Sequence, residues 1–200
     1  ADGNNNAHLF VKWLHGATAS ELKADVSLHL SEDNTKFKGY KNYLFHDYNG
    51  YFYAQDKMIF QGKVDKEGNA EIPIDINLSS TAPGMLKASF LLKAYEGGGD
   101  FSTHYVSMPY SPYEQYVGLK VPEGEFYGGL ITDKKYKGDI VVLDKYGKPQ
   151  KNEKVKVRFY KLEWRWWWNV SSENLASYIS RNYQSLRQEE TVITNSKGLA

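Results

Sequence analysis

The 200-residue sequence contains no cysteine, which excludes disulfide bridges, thiolate zinc sites and cysteine nucleophiles. It also lacks a run of the roughly 20 apolar residues that a membrane-spanning helix needs, and it has no basic-then-apolar signal at its N-terminus. Residues 1–7 (ADGNNNA) form a polar leader before the first strand pattern and suggest an excised or processed segment. We therefore expect no direct membrane insertion by this chain.

The sequence also lacks a marked excess of positive or negative charge, since it has 25 Lys and Arg and 24 Asp and Glu. This balance argues against nucleic acid as a partner.

No sequence motif points to a catalysed reaction. The glycine run 97–99 lacks the Lys-Ser/Thr that follows a phosphate loop, and acidic pairs such as Glu189-Glu190 are typical of solvated turns. No histidine pair has metal-ligand spacing among His8, His15, His29, His46 and His104. We expect no catalytic residue, cofactor or metal, and hence a non-catalytic binding or scaffold protein.

Aromatic residues are abundant instead: 16 Tyr, 9 Phe and 5 Trp make 15% of the chain, a composition that favours strands. Apolar and polar residues alternate with a period of two at 10–14, 25–30 and 155–159, which predicts antiparallel β-structure. Further strands are predicted at 57–64, 70–76, 84–94, 103–108, 115–121 and 139–143. The predicted fold class is all-β, with tandem antiparallel β-sandwiches.

One segment has a helical pattern. Leu175, Ile179, Tyr183 and Leu186 recur near the helical period, and Ser172 stands where an N-cap would be. The spacing predicts a helix over residues 172–186.

Two prolines in Pro109-Tyr-Ser-Pro112 interrupt the strand pattern and predict a domain boundary, giving domains 1–112 and 113–200. Turns on the two sides of this boundary match at a constant spacing. The spacing is 131 residues from Gly16 to Gly147 and from Val26 to Val157, and 130 residues from Gly68 to Gly198. This predicts two units of one kind.

Under this repeat Ala200 corresponds to Ala70, so the second domain is expected to be incomplete at its C-terminus. The first domain in turn has no counterpart of residues 116–137. A fragment from the middle of a longer array explains both observations. It also predicts an exposed sheet edge that can pair with another chain.

Within residues 154–168 (KVKVRFYKLEWRWWW) the alternating apolar positions shift from odd to even residue numbers. Val155, Val157 and Phe159 occupy odd positions, whereas Leu162, Trp164, Trp166 and Trp168 occupy even ones. A single flat strand cannot bury both sets, so a bulge, bend or sheet switch is predicted near Tyr160-Lys161.

The tryptophan cluster allows two interpretations. It either packs against the core or a neighbouring domain, or it forms a recognition surface for sugars or peptides. In both cases the arginine within it can stack on an indole ring. The candidate binding residues are Trp164, Arg165, Trp166, Trp167 and Trp168.

Residues 162–168 (LEWRWWW) followed by 173–178 (ENLASY) resemble a signature of bacterial alpha-2-macroglobulin-like proteins, particularly large Bacteroides-type ones. Residues 109–110, 116–119 (YVGL), 144–149 (DKYGKP) and 194–198 (TNSKG) are also similar to macroglobulin-type domains. These motifs cover most of the second domain, and the repeat extends the resemblance to the first.

The resemblance implies fibronectin-III-like sandwiches of about seven strands, stacked in a periplasmic or cell-surface protease trap that can be anchored through its parent chain. In such traps a protease cleaves a bait segment, the domains rearrange, and in many members a thioester then links the protease covalently. The implied partners are proteases, met through the full-length parent, and neighbouring macroglobulin-like domains. Without a cysteine this chain cannot perform the covalent step.

An insertion at 169–190 contains two arginines, Arg181 and Arg187, that a trypsin-like protease would cleave if they were accessible. Because the predicted helix would protect them, we interpret the insertion as structural rather than as bait. The alternative function is a cell-surface carbohydrate-binding or adhesion module that uses the aromatic cluster 164–168.

Overall fold

The computed structural model describes residues 6–48, 50–122, 124, 130–131, 133–169 and 177–200, with backbone only at 161–169 and 177–186. Two compact units, Ala1–Tyr116 and Val117–Ala200, make up the chain. The described part contains no helix long and apolar enough to cross a membrane. Its ten strands are β1 Asn6–Phe10, β2 Lys23–Glu32, β3 Gln55–Lys63, β4 Asn69–Pro73, β5 Leu86–Tyr95, β6 Phe101–Tyr110, β7 Gln115–Lys120, β8 Asp139–Asp144, β9 Lys154–Asn169 and β10 Ser177–Ile193. The all-β prediction is confirmed.

The first unit is a β-sandwich. A four-stranded sheet in the order β3-β2-β5-β6 faces a two-stranded sheet of β1 and β4, and every pair is antiparallel. Leu9 of β1 and Ile72 of β4 pack on Ala24 and Val26 of β2. A second cluster lies further along the sandwich and comprises Leu28, Leu30, Phe52, Ala82, Leu86 and Ala88.

Strand β2 illustrates how the alternating sequence builds this core. Val26 and Leu28 are only 2% and 1% exposed, and each such side chain stabilises the fold by about 1.5–3 kcal/mol through burial. On the opposite face Asp25 is also buried, and its Oδ2 accepts a 2.8 Å hydrogen bond from the hydroxyl of Tyr95. This bond is the main cause that raises the pKa of Tyr95.

In the second unit the described residues form two two-stranded sheets, β7-β8 and β9-β10. Lys120 at the end of β7 approaches Asp139 at the start of β8, with 3.8 Å between Nζ and Oδ2. Strands β7 and β8 therefore run antiparallel. Strands β9 and β10 form a long antiparallel ribbon.

The predicted repeat is confirmed by backbone hydrogen bonds that recur in both units at the predicted spacing of 131 or 130 residues. The Lys12–Thr18 bridge likewise matches the Leu143–Pro149 bridge. We call this shared set of bonds the repeat frame. In the first pair of matched bonds, Val11 N donates to Gly68 O (2.8 Å) in the first unit and Val142 N donates to Gly198 O (2.9 Å) in the second. In the next pair, Ala19 N donates to Val11 O (3.4 Å) and Gln150 N donates to Val142 O (2.8 Å). In the last pair, Val64 N donates to Leu22 O and Thr194 N donates to Glu153 O, both at 3.0 Å.

One turn of the repeat frame is reproduced down to its side chain. Asp65 Oδ1 accepts hydrogen bonds from the amides two and four residues later, at 2.9 and 2.7 Å, and Asn195 Oδ1 does the same at 2.8 and 3.2 Å. The turn glycines Gly68 and Gly198 have φ values of 85° and 71°, a region that favours glycine. An Asx residue followed three positions later by glycine thus marks both turns.

The predicted strand at 10–14 is wrong, because β1 is Asn6–Phe10. The amide of Val11 donates a hydrogen bond to Gly68 O, and Val11 O accepts one from Ala19 N. The chain then reverses through a turn closed by a 2.9 Å hydrogen bond from Gly16 N to Trp13 O. The apolar residues at 11, 13 and 14 imitate a strand, but they lie in this turn and its approach.

Candidate functional site

The ribbon of β9 and β10 contains every candidate site residue. Its ladder runs from the Lys154–Ile193 pair at the base to the Asn169–Ser177 pair. The Lys154–Ile193 pair at the base of the ribbon matches the Lys23–Lys63 pair of β2 and β3 in the repeat frame. Strand β2 ends at Glu32, which corresponds to Glu163 of β9. Strand β9 is therefore longer than its counterpart, and residues 164–169 with their partners in β10 have no equivalent in β2.

This outer part of the ribbon holds the tryptophan cluster. Residues 164–168 occupy consecutive positions of β9 and all pair with β10, with Arg165 directly opposite Arg181. Like charges at directly opposed positions are unfavourable in a β-ladder. The register pairs Trp164 with Asn182, Trp166 with Ser180, Trp167 with Ile179 and Trp168 with Tyr178.

The predicted helix over residues 172–186 is wrong for its described part, since residues 177–186 belong to β10. Residues 172–176 lie outside the described residues. The helical spacing of Ile179, Tyr183 and Leu186 competes with the β-propensity of these aromatic and branched residues. Strand β9 supplies a complete set of backbone partners, and this tertiary pairing overrides the local pattern.

The predicted irregularity near Tyr160-Lys161 is present, but it lies on the partner strand. The register moves from Phe159–Gln188 to Tyr160–Leu186, so Arg187 is an extra residue in β10. Such a bulge leaves one residue without a ladder partner and bends the strand. Arg187 is exposed. The structure thus separates the two candidate protease-accessible arginines: Arg181 lies in a continuous ladder, and Arg187 lies at a bulge.

We expect trypsin to cleave the folded chain after Arg187 several-fold faster than after Arg181, because a protease must bind backbone that is released from its ladder. A time course of limited proteolysis followed by mass spectrometry measures both cuts. In the Arg187→Gln variant the first cut should vanish while the rate at Arg181 stays unchanged. Faster cleavage after Arg181 would contradict the assigned bulge.

The base of the ribbon carries an exposed charge cluster that the sequence analysis missed. Arg158 donates a hydrogen bond from Nε to Glu189 Oε2 at 2.6 Å, and Lys156 Nζ lies 3.3 Å from Glu189 Oε1. The hydrogen bond from Arg158, followed by that from Lys156, lowers the pKa of Glu189. Only the strand register brings these residues together, so no spacing in the sequence reveals the cluster.

Because the pKa of Glu189 is lowered, the cluster stabilises the ribbon at neutral pH, and this contribution is lost as the pH falls below the ordinary value of 4.5 and through the folded-state pKa. We expect Arg158→Gln to raise the pKa of Glu189 more than Lys156→Gln does, because the Arg158 bond is the largest cause. An NMR titration of the Glu189 side chain measures both. A larger rise with Lys156→Gln would reverse the assignment.

The histidines are dispersed over the first unit. One histidine pairs with a carboxylate on a neighbouring exposed strand: His29 Nδ1 lies 2.8 Å from Asp56 Oδ1. The described ranges contain no group of three His, Asp or Glu side chains that could hold a metal ion. The described side chains therefore offer a hydrogen-bonded pair here and no group of three that could hold a metal ion.

Two family models match the chain. A bacterial alpha-2-macroglobulin MG5 domain matches residues 2–112, and bacterial macroglobulin domain 6 matches residues 118–200. A search of curated proteins found no match.

Solved structures give the same fold. The native conformation of Escherichia coli alpha-2-macroglobulin is similar with a TM-score of 0.62 and 16% identity, over 98% of this chain. The Escherichia coli protein activated by porcine elastase gives the same TM-score and identity, and Salmonella alpha-2-macroglobulin reacted with methylamine gives 0.58 and 15%. The chain spans only 13%, 18% and 14% of the length of these three structures. The macroglobulin-like β-sandwich fold is therefore confirmed.

Proposed function

Because the chain belongs to the bacterial alpha-2-macroglobulin family, with an MG5 domain followed by macroglobulin domain 6, we propose that it is a non-catalytic scaffold of a protease-inhibiting parent protein. The supporting observation is the repeat frame, which builds two consecutive units on one set of backbone bonds. Consecutive domains of one kind can change their arrangement as rigid bodies, which suits a scaffold. We take residues 1–112 and 113–200 as the two domains.

In the proposed mechanism the protease acts on the parent and this chain supplies mechanical elements. A similar Escherichia coli structure is described as activated by porcine elastase, which makes a protease a reasonable trigger for the parent of this chain. The chain has no cysteine, so any covalent capture would use another part of the parent. We propose a periplasmic or cell-surface location, with anchoring through the parent.

We assign the tryptophan cluster a structural role, as a contact surface for a neighbouring macroglobulin-like domain. Its position on the part of the ribbon that extends beyond the repeat frame supports this assignment. Aromatic residues with an arginine are typical of such contact centres. Glycan-array binding that disappears in the Trp164→Ala, Trp166→Ala double variant would favour the carbohydrate-binding alternative instead.

The parent protein provides the test. After incubation with elastase, a trap should block cleavage of a large substrate such as casein, while a small chromogenic peptide is still cleaved, because only steric access is lost. The isolated 200-residue chain should leave both activities unchanged. Equal cleavage of casein with and without the parent would refute the trap, and stoichiometric inhibition by the isolated chain would refute the scaffold role.

A further inference from the structure

Strand β6 forms one edge of the four-stranded sheet in the first unit. Within the described ranges its strand neighbour is β5 alone, and residues 101–109 are all exposed. A 2.8 Å hydrogen bond from Glu96 N to Asp100 O closes the hairpin between the two strands. Because bonded pairs alternate along an antiparallel ladder, the even-numbered residues of β6 exchange backbone bonds with β5. The amides of its odd-numbered residues therefore point to the open edge.

Pro109 supports this direction of the amides. It has no N–H and occupies an odd position of β6, so its presence costs no bond with β5. Within sheets, proline is found on edge strands with its nitrogen on the solvent side. The free amides of β6 are thus those of Phe101, Thr103, Tyr105 and Ser107.

The opposite edge of the same sheet, β3, is protected against pairing with another chain. It carries Asp56, Lys57 and Lys63, and its register with β2 is interrupted at Ile59. Charged side chains and bulges are features that prevent edge strands from pairing. Strand β6 has neither, because it contains no Asp, Glu, Lys or Arg and its register with β5 is continuous.

From these observations we propose that β6 pairs with β6 of a second copy of this chain, antiparallel and about a twofold axis, so that two four-stranded sheets join into one. Since β6 is uncharged, pairing with its own copy opposes no like charges. A charged strand of another protein would find no complementary charge on β6. This proposal holds whether or not the parent traps proteases.

The pairing has a defined geometry. Only residues whose amides point to the open edge can exchange backbone bonds across the twofold axis. The registers that use all of the free amides place Tyr105 opposite either Thr103 or Tyr105 of the second copy. The Tyr105 side chain is 58% exposed, so it is available for a cross-strand contact in both registers.

Hydrogen exchange combined with sedimentation tests the pairing on the chain of 200 residues. In the dimer the amides of Thr103, Tyr105 and Ser107 gain a partner, whereas those of His104 and Val106 are already bonded to β5. Exchange at the first three should slow at least about threefold as the chain passes from monomer to dimer, and exchange at the other two should change less. A chain that sediments as a monomer up to about 1 mM would overturn the proposal.

A proline on the open edge is the first disrupting variant. Thr103→Pro removes a free amide but no bond with β5, as Pro109 does on the same strand. It should raise the dissociation constant of the dimer at least about tenfold, because each copy loses a hydrogen bond across the twofold axis. Thr103→Ala keeps the amide and should dimerise within about threefold of the original chain. Equal dimerisation of the two variants would overturn the backbone pairing.

Ser107→Lys is a second disrupting variant and keeps every backbone amide. It gives β6 the kind of charge that β3 carries and should weaken the dimer at least about threefold. The matched change Gln61→Lys lies on β3 and should leave the dimer unchanged. A dimer that persists in both Ser107→Lys and Thr103→Pro, or whose protected amides lie on another strand, would overturn the assignment of β6.

Discussion

Replacing Gly68 with alanine is expected to lower the free energy of unfolding of the first unit by about 2–3 kcal/mol. The left-handed backbone at this residue (φ of 85°) disfavours a side chain by about 1–2 kcal/mol. The added Cβ would also overlap the carbonyl oxygen of Val11. Relieving that overlap disrupts the hydrogen bonding between Val11 and Gly68, a further loss of about 1 kcal/mol. Urea denaturation measures the change.

Gly16 is the matched control. Its φ of 93° is equally left-handed, yet a Cβ there would meet no atom within 4 Å. Gly16→Ala should therefore lower stability by only about 1–2 kcal/mol, the backbone contribution alone. If both variants lose the same stability, the close approach of Val11 to Gly68 does not contribute.

The repeat frame extends this prediction to the second unit. A Cβ at Gly198 would lie 2.9 Å from both Val142 O and Pro149 Cβ. Gly198→Ala should therefore destabilise the second unit, by less than Gly68→Ala destabilises the first.

Replacing Leu86 with alanine is expected to destabilise the first unit by about 2–5 kcal/mol, the range for deleting a buried leucine side chain. Leu86 is completely buried at the start of β5, in the cluster with Leu28 and Phe52. Thermal and urea unfolding, both monitored by circular dichroism, measure the loss. The result depends on whether the surrounding side chains can close the cavity.

Leu91 on the same strand is the control, because it points to the other face and is 37% exposed. Leu91→Ala should cost less than about 1 kcal/mol, in line with the smaller apolar area that it removes from water. Equal losses in the two variants would mean that the inner and outer faces of β5 are wrongly assigned.

Alternation and turn chemistry were sufficient to predict most strands and the repeat. Asp25–Leu30 alternates cleanly because one face of β2 packs on the core, and Gly68 and Gly198 are found where each turn requires a left-handed backbone. Such features are local, so the sequence contains them directly.

The errors have a shared physical cause, which is pairing between distant residues. Residues 177–186 fit a helix when taken alone, and they become a strand because β9 lies alongside. The bulge at Arg187 was predicted on the other strand. The shift of apolar positions within 154–168 shows that the ladder must contain an irregularity, but it does not show which of the two strands holds the extra residue. For the same reason the cluster of Lys156, Arg158 and Glu189 could not be anticipated.

The length of the ribbon has a mechanical consequence. At about 3.3 Å per residue, the 16 residues of β9 reach about 50 Å from base to end. A tilt of about 5° at the base would then displace the far end by about 4 Å, roughly the spacing between neighbouring strands. A small rotation at Lys154 and Ile193 would therefore move residues 164–168 by about the distance between two neighbouring strands.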